Sequence, residues 1–331
     1  MFAVVLVGGF GTRLRPLTND IPKPMLPVLH RPMIVWLVEQ LAEAGVSDVV
    51  LALGFKPEPF QQAFPDGSYG GVRVHYAVEP EPLDTAGAIA FAARAIGVDD
   101  TFVVANGDII TDLPIAELVA AHREFGAEAT IHLTSVADPS AFGVVEIEPG
   151  GLVRRFVEKP SPGDTQSSLI SAGTYVLEPS VLDDIEPHTR VSVERTVFPR
   201  LVGRGSLFGY PTDHYWLDAG RPDEFLRANL DVLRGVRGSP AKGIHHTATV
   251  DDGSIIVESV IGPNTRVAAG ARVIESVLLA DARVDEGACV ERSVIAGTVA
   301  ADASVTDSVI GRGYTVPFGT HVSRVRLPAP E

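Results

Sequence analysis

The sequence predicts an α/β chain in two domains. A Rossmann-like, mostly parallel sheet domain spans residues 1–234, and a left-handed parallel β-helix of hexapeptide-repeat type, about four coils long, spans residues 244–324. Three observations predict this. Short apolar runs alternate with helical spacings through the first two thirds, the pattern of βαβ units. A glycine pair follows the first of those runs directly. Through the last third, aliphatic residues recur in three columns, often six residues apart.

Taken in order, Phe2–Val7 is a continuous apolar run, too short for a helix, and reads as a buried central strand. Residues 32–44 place Ile34, Leu37, Val38, Leu41 and Ala44 at helical spacing, and Gly45 supplies a stop. Strands follow at 49–53 and 72–78, a helix at 85–95, a strand at 102–105 and a helix at 115–125. Strands are expected at 130–136, 144–147, 153–157 and 173–177, then helices near 192–202 and 222–233. Residues 235–243, rich in Gly, Pro and basic side chains, mark the boundary. Beyond it run the columns Ile261, Leu278, Ile295, Ile310; Val267, Val284, Val299, Val316; and Val273, Val290, Val305, Val322, with steps of 15 to 17 residues. A triangular coil has three short sides of about six residues, each with one inward aliphatic, and such coils stack.

Among 331 residues, 42 Asp and Glu oppose 27 Lys and Arg, a formal charge of −15. Such a surface repels a phosphate backbone and argues against nucleic acid as a partner. It also requires any nucleotide site to gather basic residues locally. One cysteine, Cys289, excludes an internal disulfide and fits a reducing compartment. The opening residues lack the basic stretch of a signal peptide, and their apolar run is too short to span a membrane. The expectation is a cytoplasmic protein with no membrane partner.

The local basic cluster lies where the first strand ends, in Leu6-Val-Gly-Gly-Phe-Gly-Thr-Arg-Leu-Arg-Pro16 and Pro22-Lys-Pro-Met-Leu26. Glycines directly after a buried strand let backbone N–H groups approach phosphate oxygens. Arg13 and Lys23 add charge to the same loop. No Gly-Lys-Ser/Thr follows, so this is not a Walker loop, and the glycine spacing is not that of a dinucleotide fingerprint. These segments resemble the signature of sugar-1-phosphate nucleotidyltransferases. Val7 before the glycines and the β-helix tail make the chain most similar to the mannose-1-phosphate guanylyltransferases.

The resemblance implies a set of site residues. Arg13, Lys23, Asp108 (in Asn106-Gly-Asp108) and Asp218 (in Trp216-Leu-Asp-Ala-Gly-Arg-Pro222) would be catalytic, with the two aspartates holding Mg²⁺. Leu6, Gly8, Gly9, Gly11, Thr12, Arg13, Glu81, Thr85, Ala86 and Gly87 would bind the nucleotide. Gly143, Glu158, Lys159 and Ser171 would bind the sugar phosphate. Guanine offers adjacent N–H donors that one carboxylate can accept together, which makes Glu81 or Glu79 the candidate base reader. Two positions depart from the family pattern. Ser171 stands where Asn is usual, and Asp84 where Gly is usual.

The implied reaction joins GTP and mannose 1-phosphate into GDP-mannose and pyrophosphate. A phosphate oxygen, ionised because the second phosphate pKa is about 6, is the nucleophile, and no general base is needed. The alternatives are uridylyl or thymidylyl transfer to glucose 1-phosphate, guanylyl transfer to a heptose or cyclitol phosphate, and a non-catalytic nucleotide-sugar-sensing subunit. The β-helix is expected to serve assembly, giving a homo-oligomer.

Overall fold

A computed structural model of the chain describes residues 1–9, 11–54 and 57–329; Phe10 of the glycine loop lies outside them. The chain divides into two compact units, Met1–Gly8 with Ile34–Trp216, and Gly9–Met33 with Leu217–Glu331.

The first unit is built on one mixed sheet. Its parallel half uses β1 (Phe2–Leu6), β2 (Asp48–Leu53), β3 (Val72–Val78) and β4 (Phe102–Asn106) in the spatial order β3-β2-β1-β4. Leu6 is opposite Ala52 on one side and Asn106 on the other, so three strand ends align at one edge. Helices α1 (Met33–Glu43), α2 (Glu58–Ala63), α3 (Asp84–Ala95) and α4 (Ile115–Phe125) connect these strands or follow them. Both faces of a doubly covered sheet are dry, which is why β1 and β2 are apolar without alternation; Val4, Val5, Val50 and Leu51 are fully buried.

The other half is mostly antiparallel: β5 (Ala129–Ser135), β6 (Gly143–Ile147), β7 (Val153–Glu158) and β8 (Leu169–Leu177). β8 pairs with β4, β5 and β6. Its register against β5 shifts between Ser171 and Tyr175, a bulge that re-aims side chains. Gly173, at φ 75°, sits inside it, where a Cβ would come within 2.7 Å of Asn106 Nδ2.

Local features differ from the sequence expectation, α2 (Glu58–Ala63) among them, which was not expected. The helix expected over 192–202 is a one-turn π-helix, Val193–Val197, followed by α5 (Phe198–Arg204). Pro199 has no N–H to give the carbonyl four residues back, so a regular turn cannot close there. A further strand, β9 (Leu207–Pro211), pairs in parallel with β5; Leu-Phe-Gly-Tyr-Pro shows no clear alternation to announce it.

The second unit contains the loop 9–33, helix α6 (Pro222–Arg234) and the left-handed β-helix. Three five-stranded parallel sheets form its sides. The three aliphatic columns fall one to a side, and Ile261, Val267 and Val273 open them, all fully buried. Five rungs form where the columns suggested about four, because the first rung carries only the partly buried Val250 and Ile256 on two sides. At one corner Ser259, Ser276, Ser293 and Ser308 make a buried ladder. Each hydroxyl donates to the carbonyl two residues back and accepts from the N–H at the same corner of the next rung. The residues just before them, Glu258, Glu275, Arg292 and Asp307, have φ between 43° and 49°.

Candidate active site

In the second unit the phosphate-signature loop is tightly folded. Gly11 has φ 59°, its carbonyl accepts from Thr18 Oγ1 at 2.7 Å, and a Cβ there would lie 3.3 Å from Lys23 Cβ. Thr12–Leu14 and Lys23–Met25 are 3₁₀ turns. Leu14 is buried and anchors the first turn, leaving Arg13 exposed. Lys23 is only 9% exposed, and its Nζ donates to Asp218 Oδ1 at 3.1 Å. Gly220 makes room for this pair: a Cβ there would lie 2.9 Å from Asp218 Oδ1 and 3.3 Å from Lys23 Nζ. Two residues 195 apart in sequence, both expected in the site, are thus held together by a partly buried charge-assisted bond.

In the first unit, the end of β1 approaches a second strand end. Gly8 and Gly54 face each other so closely that a Cβ on Gly54 would be 3.2 Å from the Gly8 carbonyl. Among the described residues nothing lies within 4 Å of where a Cβ on Gly9, the first residue of the second unit, would be. Of the two carboxylates proposed to read the base, Glu81 is exposed and Glu79 is buried. Glu79 Oε2 accepts from Leu83 N–H at 2.9 Å, and Oε1 lies 3.8 Å from where a Gly8 Cβ would be. Burial raises the Glu79 pKa, and the Leu83 bond opposes that.

Asp84 has φ 60°, which accounts for the family's usual Gly there; Asp is among the few residues that accept this region. Its Oδ1 accepts from Thr85 N–H at 2.8 Å. The N–H groups of Ala86 and Gly87 both donate to the Val191 carbonyl, and a Cβ at Gly87 would sit 2.6 Å from the Thr189 carbonyl. These two residues pack α3 against the 189–191 segment. Thr85 Oγ1 accepts from Val193 N–H and donates to Glu194 Oε2, each at 2.8 Å.

The residues expected around the sugar phosphate also converge in the first unit. A Cβ at Gly143 would lie 2.5 Å from the Phe156 ring and 3.1 Å from Glu158 Oε2, so only glycine leaves Glu158 its place. Lys159, at φ 50°, has its Nζ 3.6 Å from Glu158 Oε1. Burial, then the negative charge of Glu194, raises the Glu158 pKa, and Lys159 opposes this. Asp108 follows the Gly107 turn, whose N–H donates to the Leu6 carbonyl. Burial and the charges of Glu194, Glu158 and Asp108 push the Tyr175 phenol up, which brings all three carboxylates into its field. Ser171 begins the bulge of β8, and the Ala172 carbonyl inside it accepts from Trp216 Nε1 at 2.8 Å.

Sequence reasoning missed Glu194 and Arg195, whose charges both act on Glu158. Their π-turn has no sequence signature, although Ser192 beside Glu194 hinted at a helix start: Ser192 Oγ accepts from Arg195 N–H and donates to Glu194. For a metal, no group of three or more His, Cys, Asp or Glu side chains converges among the described residues. The carboxylates of Asp108 and of Asp218, the latter already bonded to Lys23, are hard oxygen donors of the kind a divalent cation takes along with oxygens from substrate and water.

Residues 2–235 match the family model described as nucleotidyl transferase, and residues 239–327 match the GMPPB C-terminal domain. A mannose-1-phosphate guanylyltransferase of Mycobacterium tuberculosis is 41% identical over 281 residues, covering 80% of this chain and 77% of that protein. A mannose-1-phosphate guanyltransferase of Schizosaccharomyces pombe is 40% identical over 273 residues, covering 80% and 74%. A crystal structure described as a Bacillus anthracis glucose-1-phosphate thymidylyltransferase superposes with a TM-score of 0.63 at 27% identity, covering 69% of this chain and 94% of that one. Among the described residues, no helix is long and apolar enough to cross a membrane.

Proposed function

Since the chain belongs to the nucleotidyl transferase family, we propose that it transfers the guanylyl group of GTP to mannose 1-phosphate, making GDP-mannose and releasing pyrophosphate. The observation that carries the guanine assignment is the buried carboxylate of Glu79 beside Gly8. A single carboxylate accepts the adjacent N1–H and N2–H of guanine together, whereas uracil and thymine present only one such donor. We therefore assign base reading to Glu79 rather than to the exposed Glu81.

A phosphate oxygen of mannose 1-phosphate attacks the α-phosphorus of GTP, a new P–O bond forms, and the bond to the β-phosphate oxygen breaks with its electrons leaving on pyrophosphate. The nucleophile is already ionised, so catalysis consists of positioning and charge neutralisation. Arg13 neutralises the leaving pyrophosphate. Lys23, held by Asp218, fixes the phosphates, and backbone N–H groups of Gly8, Gly9, Gly11 and Thr12 donate to them. Glu158 accepts from sugar hydroxyls, Lys159 holds the sugar phosphate, and Gly143 keeps Glu158 in place. Ser171, smaller than the usual Asn, leaves more room at the sugar. Asp108 and Asp218 are the proposed ligands of a divalent cation, taken to be Mg²⁺, which would polarise the phosphoryl oxygens.

We take the domains to be 1–234 and 244–324, and the protein to be a cytoplasmic homo-oligomer. Ile255 and Val257, exposed on the first rung, support assembly through the β-helix. The testing experiment is pyrophosphate release from five nucleoside triphosphates against a panel of sugar 1-phosphates, with and without Mg²⁺. The highest kcat/KM is expected for GTP with mannose 1-phosphate, with no turnover after chelation. A higher value for UTP or dTTP with glucose 1-phosphate would overturn the assignment.

A further inference from the structure

A cavity of about 540 Å³ lies within the second unit between α6 and one corner of the β-helix. Its floor is apolar, from Leu226 and Leu230 on α6 and Val294 and Val309 on the rungs. Five arginines line it, at 227, 234, 292, 324 and 326, against three carboxylates. In a chain of charge −15 that is a marked local excess. It follows from the corner geometry. The left-handed residue of each rung, Glu275, Arg292, Asp307 and Arg324, turns one side chain toward α6 from successive rungs. Arg234 is held by Glu258 and Glu275, and Arg292 by Asp307 and Glu291. The Arg324 side chain makes no hydrogen bond or ion pair among the described residues and acts on Asp307 only through its charge; its backbone N–H donates to the Thr306 carbonyl.

The cavity is also tied to the loop that carries Arg13. Arg326 Nη1 donates to the Arg13 carbonyl at 2.8 Å. On the neighbouring rung Gly311 seats Pro16, where a Cβ would lie 2.7 Å from the proline's Cβ. From α6, Asn229 Oδ1 accepts from Leu29 N–H at 2.7 Å. We propose that this cavity is a second ligand site, distinct from the catalytic residues, for a phosphorylated molecule the size of a sugar phosphate, and that Arg326 links its occupancy to the loop carrying Arg13. The volume fits a small-molecule site. The apolar floor takes a carbon skeleton, and arginine forks suit phosphate oxygens.

The test measures binding of mannose 6-phosphate and of 6-phosphogluconate, neither of which has a phosphate on the anomeric carbon, to the full-length protein by calorimetry. At least one is expected to bind at one site per chain, about tenfold more weakly in Arg324→Ser and in Arg227→Ser. Affinity should be unchanged in Lys159→Ala. Both arginine variants should keep the wild-type melting temperature and basal turnover. The bound probe should shift the KM for nucleotide in wild type but not in Arg326→Gln. Failure of both probes to bind, or equal affinity in wild type, Arg227→Ser and Arg324→Ser, overturns the site. Binding lost in Lys159→Ala instead would put the probe in the catalytic site and also overturn it. An unchanged KM with the probe bound overturns the link through Arg326.

Discussion

Glu79 and Glu81 are two positions apart, and burial separates them. Glu79 has lost water, keeps one backbone donor, and presents its other oxygen toward the glycine turn. Replacing it with Gln puts an N–H where guanine also offers N–H groups. Glu79→Gln is expected to reduce kcat/KM for GTP by about a hundredfold, with little change for UTP; steady-state kinetics with both nucleotides checks this, and Glu81→Gln should do neither. His132 governs acid stability in a similar local way. Burial, then the charge of His214, lowers its pKa from 6.5 to about 4. Above pH 6.5 the imidazole is neutral in folded and unfolded chains alike and contributes no pH dependence. Below it the unfolded chain binds a proton that the folded chain refuses until about pH 4. Stability should therefore fall by about 3 kcal/mol across that window, and His132→Gln should flatten the slope. Urea unfolding at a series of pH values measures both.

Elements set what these residues can do. β6 and β7 run antiparallel with Gly143 opposite Glu158, so Gly143→Ala would push the Phe156 ring or the carboxylate aside. It is expected to lower kcat/KM for the sugar phosphate by about tenfold to a hundredfold while leaving nucleotide binding intact, which kinetics and nucleotide titration together would show. In the β-helix the serine ladder is a continuous hydrogen-bonded column. Ser293→Ala leaves the Ser308 N–H without its acceptor, at a cost of about 1–3 kcal/mol. Hydrogen exchange should register this as lost protection at the Ser308 amide. The β-helix was legible in sequence because its apolar columns repeat the inward side of every rung. The glycine loop was legible because glycines after a buried strand, with Arg13 and Lys23, leave few readings. The contact between Lys23 and Asp218 was not, since nothing in either segment announces the other. Glu194 escaped because a π-turn has no period to detect. The choice between Glu79 and Glu81 needed burial, which spacing does not report. The arginine-lined corner was hidden because left-handed positions ordinarily suggest Gly or Asn rather than charge.

At the scale of the whole molecule, the two compact units cut across the proposed domain boundary. Residues 9–33, encoded near the start, group with α6 and the β-helix. A chain ended after Gly235 keeps every strand of the mixed sheet but loses Gly311 and Arg326 as supports of this loop. Such a chain is expected to retain a cooperative unfolding transition reported by Trp36 and Trp216 fluorescence, while turnover falls by about a hundredfold or more. Wild-type turnover by the truncated chain would show that the loop is self-supporting. Arg326 lies 313 residues after Arg13, and its hydrogen bond reaches back to that earlier segment. On a ribosome Arg13 would emerge before the fifth rung and stay unsupported until that rung leaves the exit tunnel. Premature stop or proteolytic loss of the tail would then yield chains that fold in part but stay silent, so that completeness of translation itself becomes a condition for chemistry.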